Sequence, residues 1–133
     1  MDSGPQPRNG RRGSRIILVV DDDPDILEAL TEILAGEGFE VRAARHGEEA
    51  LAHFSPRPPD LVLLDLMMPV MDGWTFRQTM LNDPALAAIP VILITAAGQQ
   101  RADLVDADRV LHKPLFMDTV VDVVREHCPG VVN

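Results

Sequence analysis

Short apolar runs alternate along the chain with stretches in which apolar residues recur at helical spacing. Ile16, Ile17, Leu18, Val19 and Val20 form a continuous apolar run, the pattern of a strand buried on both faces. Asp23 is a candidate N-cap and Pro24 suits the first position of the helix that follows. Ile26, Leu27, Leu30, Ile33 and Leu34 share one face of that helix, and Gly36 or Gly38 ends it. Residues 40–44 read as a second strand and 47–54 as a short helix, before Pro56, Pro58 and Pro59 break the chain. Residues 61–64 predict strand three, 73–82 a helix, and 91–94 strand four. Residues 98–107 are polar with weak periodicity and fit at most one short helix. A weak fifth strand at 109–111 precedes a final helix over 116–127, whose inner face is read as Val120, Val121 and Val124.

Five strands alternating with helices imply an α/β fold with a parallel sheet covered on both sides. Right-handed crossovers favour a doubly wound arrangement. Ligands in such folds bind outside the carboxyl ends of the strands, so chemically loaded residues are expected just after them. Residues 16–128 are read as one domain, after a disordered basic tail at 1–15 and before a short C-terminal tail at 129–133.

Composition narrows the function classes. Of 133 residues, 46 % are hydrophobic and 25 % charged, as in a globular protein. The net charge is −9, divided as +3 on residues 1–15 and −12 on the rest, so direct contact with nucleic acid is not expected of the folded part. Cys128 is the only cysteine, which excludes an internal disulfide and fits a reducing compartment. No apolar run nears the roughly 20 residues of a membrane span, and the basic start lacks the apolar segment of a signal peptide. The expectation is a cytoplasmic protein without membrane contact.

The strand ends carry the chemistry. Strand one runs into Asp21, Asp22 and Asp23, strand three into Asp65, strand four into Thr95 and Ala96, and strand five towards Lys113 and Pro114. Carboxylates gathered on one rim repel, and a proton or a cation must relieve them. A hard divalent ion with oxygen ligands suits that need, and Mg²⁺ keeps positions open for water or a phosphate oxygen. Asp23 reads better as a helix cap; with Asp65 on the same rim, Asp21 and Asp22 read as metal ligands, and the backbone carbonyl of Met67 could reach the ion. Lys113 is the only lysine beside eleven arginines, a mobile point charge able to pair with a carboxylate or a phosphate. Thr95 adds a hydroxyl, and the small Ala96 leaves the neighbourhood open.

Val19 to Asp23, the run Leu64-Asp65-Leu66-Met67-Met68-Pro69-Val70-Met71-Asp72-Gly73, then Thr95-Ala96 and Lys113-Pro114 together resemble the receiver domains of two-component response regulators. The likeness covers residues 16–128. It implies a flavodoxin-like fold with strand order 2-1-3-4-5 and a cis Lys113–Pro114 peptide. It also implies that Asp21, Asp22 and Asp65 hold Mg²⁺ (or Mn²⁺) and that Asp65 takes a phosphoryl group from a histidine kinase or histidine phosphotransfer protein. Thr95 and Lys113 would bind that group. Such a domain is a signalling module rather than an enzyme; it catalyses transfer to its own aspartate and its own slow dephosphorylation, and passes the signal to a downstream protein.

Two features depart from the family pattern. Val110 stands where an aromatic residue is usual, and the chain has no Tyr. Thr95 and Lys113 are closer in sequence than is usual, which predicts a shortened crossover helix. Both changes leave the rim intact and favour a monomer. The alternatives are a degenerate receiver used as an unphosphorylated docking module and an aspartyl-phosphate phosphatase. The second needs an Asp two positions after the nucleophile, where this chain has Met67. A flavin binder would need a phosphate loop after strand one, which is missing.

Overall fold

Apolar runs buried on both faces fix the centre of the molecule. A computed structural model describes residues 15–68, 71–96, 102 and 105–128. The strands are β1 (Ile16–Val20), β2 (Glu40–Ala44), β3 (Leu61–Leu64), β4 (Val91–Thr95) and β5 (Arg109–His112). The helices are α1 (Pro24–Gly36), α2 (Gly47–Leu51) with a single 3₁₀ turn at Ala52–Phe54, α3 (Gly73–Leu81), α4 (Pro84–Ala87) and α5 (Met117–His127). All strand pairs are parallel. The order β2-β1-β3-β4-β5 is the doubly wound topology expected from the sequence.

Every residue of β1, β3 and β4 is buried. Alternate residues face opposite layers. Ile17, Val19, Leu61, Leu63, Ile92 and Ile94 pack with Leu27, Leu30 and Leu34 of α1 and Val120, Val123 and Val124 of α5. Leu18, Val20, Val62, Leu64, Val91 and Leu93 pack with Ala50 of α2 and Phe76 and Met80 of α3.

Local chemistry sets the helix ends. Asp23 caps α1 by accepting from the Asp25 N–H, and Pro24 follows it. Gly38, at φ 100°, takes the left-handed turn after α1. Asp72 caps α3 by accepting from the Thr75 N–H at 2.9 Å. Asp60 and Asp108 accept from the strand-opening amides of Ile16 and Val91.

The differences from the sequence pattern are local. On α5 the buried valines are Val120, Val123 and Val124, and Val121 is only half-buried. One helical turn, α4, forms where none is expected, with Asp83 as its cap. Strand five extends to His112. Lys113–Pro114 is cis as the family likeness implies, and Ser55–Pro56 is cis as well. Of the tails expected at 1–15 and 129–133, all but Arg15 lies outside the described residues, as does most of the 98–107 segment. No helix among the described residues is long and apolar enough to cross a membrane.

Leu30 is fully buried between α1 and the sheet. Leu30→Ala is expected to lower unfolding free energy by about 2–5 kcal/mol, read as a shift in the urea midpoint with the slope unchanged.

Candidate functional site

Strand register brings the acidic rim together. Val20 of β1 is flanked by Ala44 of β2 and Leu64 of β3. The next residues leave the sheet in step: the Asp21 amide donates to the Ala44 carbonyl and the Asp65 amide to the Val20 carbonyl. On the other side Thr95 pairs with His112, and the Lys113 amide donates to the Thr95 carbonyl at 2.9 Å. The lysine stem is thereby aimed back across β4 and β3.

Asp21, Asp22 and Asp65 each present an oxygen such that all three lie within 4.8 Å of one another. Asp21 and Asp65 are buried and Asp22 is exposed. The Lys113 ammonium lies 2.8 Å from Asp21 Oδ2 and 3.5 Å from Asp65 Oδ2. Asp21 Oδ1 accepts from the Asp23 N–H at 2.9 Å, and Asp65 Oδ1 from the Met67 N–H at 3.3 Å. Asp21 Oδ2 is buried, and the Lys113 ammonium is its partner. Three clustered carboxylates that share a single ammonium fit a hard divalent cation.

The electrostatics follow from this crowding. Burial raises the Asp65 carboxyl from 3.8 to about 6; the charge of Asp21 adds to the rise, while Lys113 and the Met67 amide oppose it. Burial works against the charged form of Lys113, but its contacts with Asp21 and Asp65 outweigh that and hold its pKa above 10.5.

Thr95 is fully buried at the end of β4, and Ala96 beside it is exposed. Pro114 lies exposed after the lysine. Met67 is 47 % exposed. Val110 is half-buried in the layer with α3, away from the rim. Sequence reasoning gives Gly73 no role of its own. A Cβ there would lie 2.7 Å from the Asp65 carbonyl oxygen and 2.8 Å from Leu66 Cα. Glycine is therefore needed for α3 to start against the backbone of Asp65, and the signal was its place right after the capping Asp72.

A model of the response regulator receiver domain matches residues 17–125. The chain belongs to this family. The receiver is 38 % identical over 117 residues to the DNA-binding response regulator MtrA of Mycolicibacterium smegmatis, covering 82 % of this chain and 48 % of that protein. It is 36 % identical over 113 residues to the DNA-binding dual master transcriptional regulator RpaA of Synechocystis, covering 82 % and 47 %. The chain thus spans about half the length of these relatives. Among solved structures, the signal receiver domain of a signal transduction histidine kinase from Syntrophus aciditrophicus superposes with TM-score 0.80 at 33 % identity, covering 89 % of this chain and 92 % of that one. The CheX-CheY-BeF3-Mg complex from Borrelia burgdorferi contains a chain that superposes with TM-score 0.75 at 30 % identity, covering 84 % and 87 %.

The raised Asp65 pKa makes a stability prediction for the metal-free receiver. A carboxyl that holds its proton more tightly when folded contributes stability below about pH 4, and loses it as pH rises to about 6. Asp65→Asn, neutral throughout, escapes that loss. Chemical unfolding in a chelator should find the variant more stable than wild type by about 1–3 kcal/mol at pH 7.5, with the gap closing towards pH 4. A gap independent of pH would contradict the assignment of the proton to Asp65.

Proposed function

We propose that Asp65 is the phosphoryl acceptor of this receiver, that Asp21, Asp22, Asp65 and the Met67 carbonyl hold Mg²⁺ (or Mn²⁺), and that the donor is the phosphohistidine of a histidine kinase or histidine phosphotransfer protein. The observation that carries the reading is the placement of Asp65. It is a buried carboxylate at the end of the central strand, facing two other carboxylates and the one ammonium.

A carboxylate oxygen of Asp65 attacks phosphorus in line with the bond to the donor imidazole. The new O–P bond forms as the N–P bond breaks, and the electron pair leaves on the ring nitrogen, which takes up a proton. Asp65 must be ionised to attack; with its pKa near 6 it is mostly so at neutral pH. Lys113, already 3.5 Å from Asp65 Oδ2, is placed to turn from the carboxylates to a phosphoryl oxygen. The Thr95 hydroxyl supplies a hydrogen bond to another, and Ala96 leaves room for the group. When bound, Mg²⁺ supplies the remaining positive charge on the phosphoryl oxygens. Attack of water on phosphorus then restores the Asp65 carboxylate, a slow self-dephosphorylation. The Mg²⁺ in the Borrelia complex supports the choice of ion.

DNA binding is named for the longer relatives. For the residues here, a net charge of −9 favours protein partners. In a cytoplasmic two-component pathway the phosphorylated domain would signal through a downstream protein.

Incubation with acetyl phosphate and Mg²⁺, followed by intact-mass measurement, should add one phosphoryl group to wild type and none to Asp65→Ala. Chelation should abolish the gain, and Asp22→Ala should shift the Mg²⁺ dependence to higher concentration. An undiminished gain in Asp65→Ala would remove Asp65 from the role.

A further inference from the structure

A cavity of about 240 Å³ lies between α3 and the segment that leads into β5. Trp74, Arg77, Gln78 and Leu81 line it from one side of the helix, at helical spacing, and Val105 and Asp106 line it from the other wall. The volume is below the roughly 300–1,000 Å³ of pockets that take drug-sized molecules, so the space suits something smaller. None of its lining residues belongs to the rim of Asp21, Asp22, Asp65 and Lys113.

Arg77 sets the chemistry of this space. The residue is 5 % exposed, yet no carboxylate among the described residues forms an ion pair with it. Its Nε donates to the Asp106 carbonyl at 2.6 Å, and Nη1 has the Met80 thioether at 4.0 Å. A guanidinium carries five N–H donors, and one carbonyl and one thioether use few of them. Asp106 is the one acid on the cavity wall; it gives the arginine its carbonyl, and the residue itself is exposed. A buried cation without a counter-charge is costly, and an anion arriving beside it relieves that cost. The planar fork of a guanidinium matches a carboxylate with two parallel N–H···O bonds. Trp74, Leu81 and Val105, all half-buried, add an apolar wall that an inorganic anion would not use.

We propose that this cavity is a binding site for a small organic anion, its carboxylate on the Arg77 guanidinium and its apolar body against Trp74, Leu81 and Val105. The site is independent of the phosphoryl chemistry, because it shares no residue with it.

Benzoate is the probe. Benzamide, of similar shape but uncharged, and inorganic phosphate, charged but without an apolar body, are the comparators. The full chain is titrated with each; fluorescence of Trp74, the single tryptophan, reports binding, and amide NMR spectra locate it. Benzoate should bind saturably with a Kd on the order of 1 mM, as a ligand of so few atoms can, and shift amides in 74–81 and 105–108. Benzamide and phosphate should each bind at least about tenfold more weakly, the scale of one hydrogen bond to a charged group. Arg77→Gln should lose the benzoate response. A folded Arg77→Gln that binds benzoate as wild type does would overturn the proposal. So would equal binding of benzamide or of phosphate, or shifts confined to the rim around Lys113. Should Arg77→Gln not fold, Val105→Phe, which fills the cavity from the wall opposite α3 and keeps the guanidinium, should block benzoate as fully; unchanged binding in that variant would overturn the site.

Discussion

Mutual repulsion among Asp21, Asp22 and Asp65 is the constraint to which the rest of the molecule answers. Three carboxylate oxygens within 4.8 Å face one ammonium, so the cluster is under-compensated until a cation or a proton joins it. Such a group can be held together only by a frame whose burial energy exceeds the repulsion. That frame is the centre of the sheet. β1, β3 and β4 have no exposed residue, and their side chains fill both layers. The pairing of Val20 with Leu64 sets Asp21 and Asp65 side by side. A slip of one residue would turn every side chain of β3 into the opposite layer, so register is specified strongly and the site inherits its precision.

What the sequence reveals follows from how much each signal depends on distant contacts. The central strands are legible because a strand buried on both faces must be apolar throughout. α1 is legible because its cap, its proline and its stripe agree. The inner face of α5 is less determined. Val120, Val121 and Val124 fit helical spacing as well as Val120, Val123 and Val124 do, and contact with α1 and the sheet selects the second set. Cys128, buried one turn beyond Val124, extends the part of the stripe that both sets share and does not choose between them. β5 reads weakly because an edge strand is only partly covered: Arg109 and His112 are exposed.

The members of the site could be named from their positions after strands, but their proton affinities could not. The Asp65 carboxyl is pushed up to about 6 by burial and by the charge of Asp21. Both causes are products of the tertiary fold. Arg77 shows the converse failure. An arginine on a helix suggests a solvated face, yet it is 5 % exposed.

Arg77 matters for how the lysine is placed. Its Nε donates to the Asp106 carbonyl at 2.6 Å, and its Nη1 lies 4.0 Å from Met80 Sδ. Two residues on, Asp108 closes a reciprocal pair with Val91: its amide donates to the Val91 carbonyl, and its carboxylate accepts from the Val91 amide. The return to β5 is therefore held from α3 and from β4 rather than by burial of the strand itself. From that start the ladder runs Arg109 to His112 against Ile92 to Thr95, and the next residue is Lys113. Among the described residues, the only ammonium near the acidic rim thus hangs from an edge strand whose own burial is poor. Holding Nζ between Asp21 and Asp65 requires that the beginning of that strand be fixed, which is what a buried guanidinium on a backbone carbonyl and a carboxylate on a strand-opening amide accomplish.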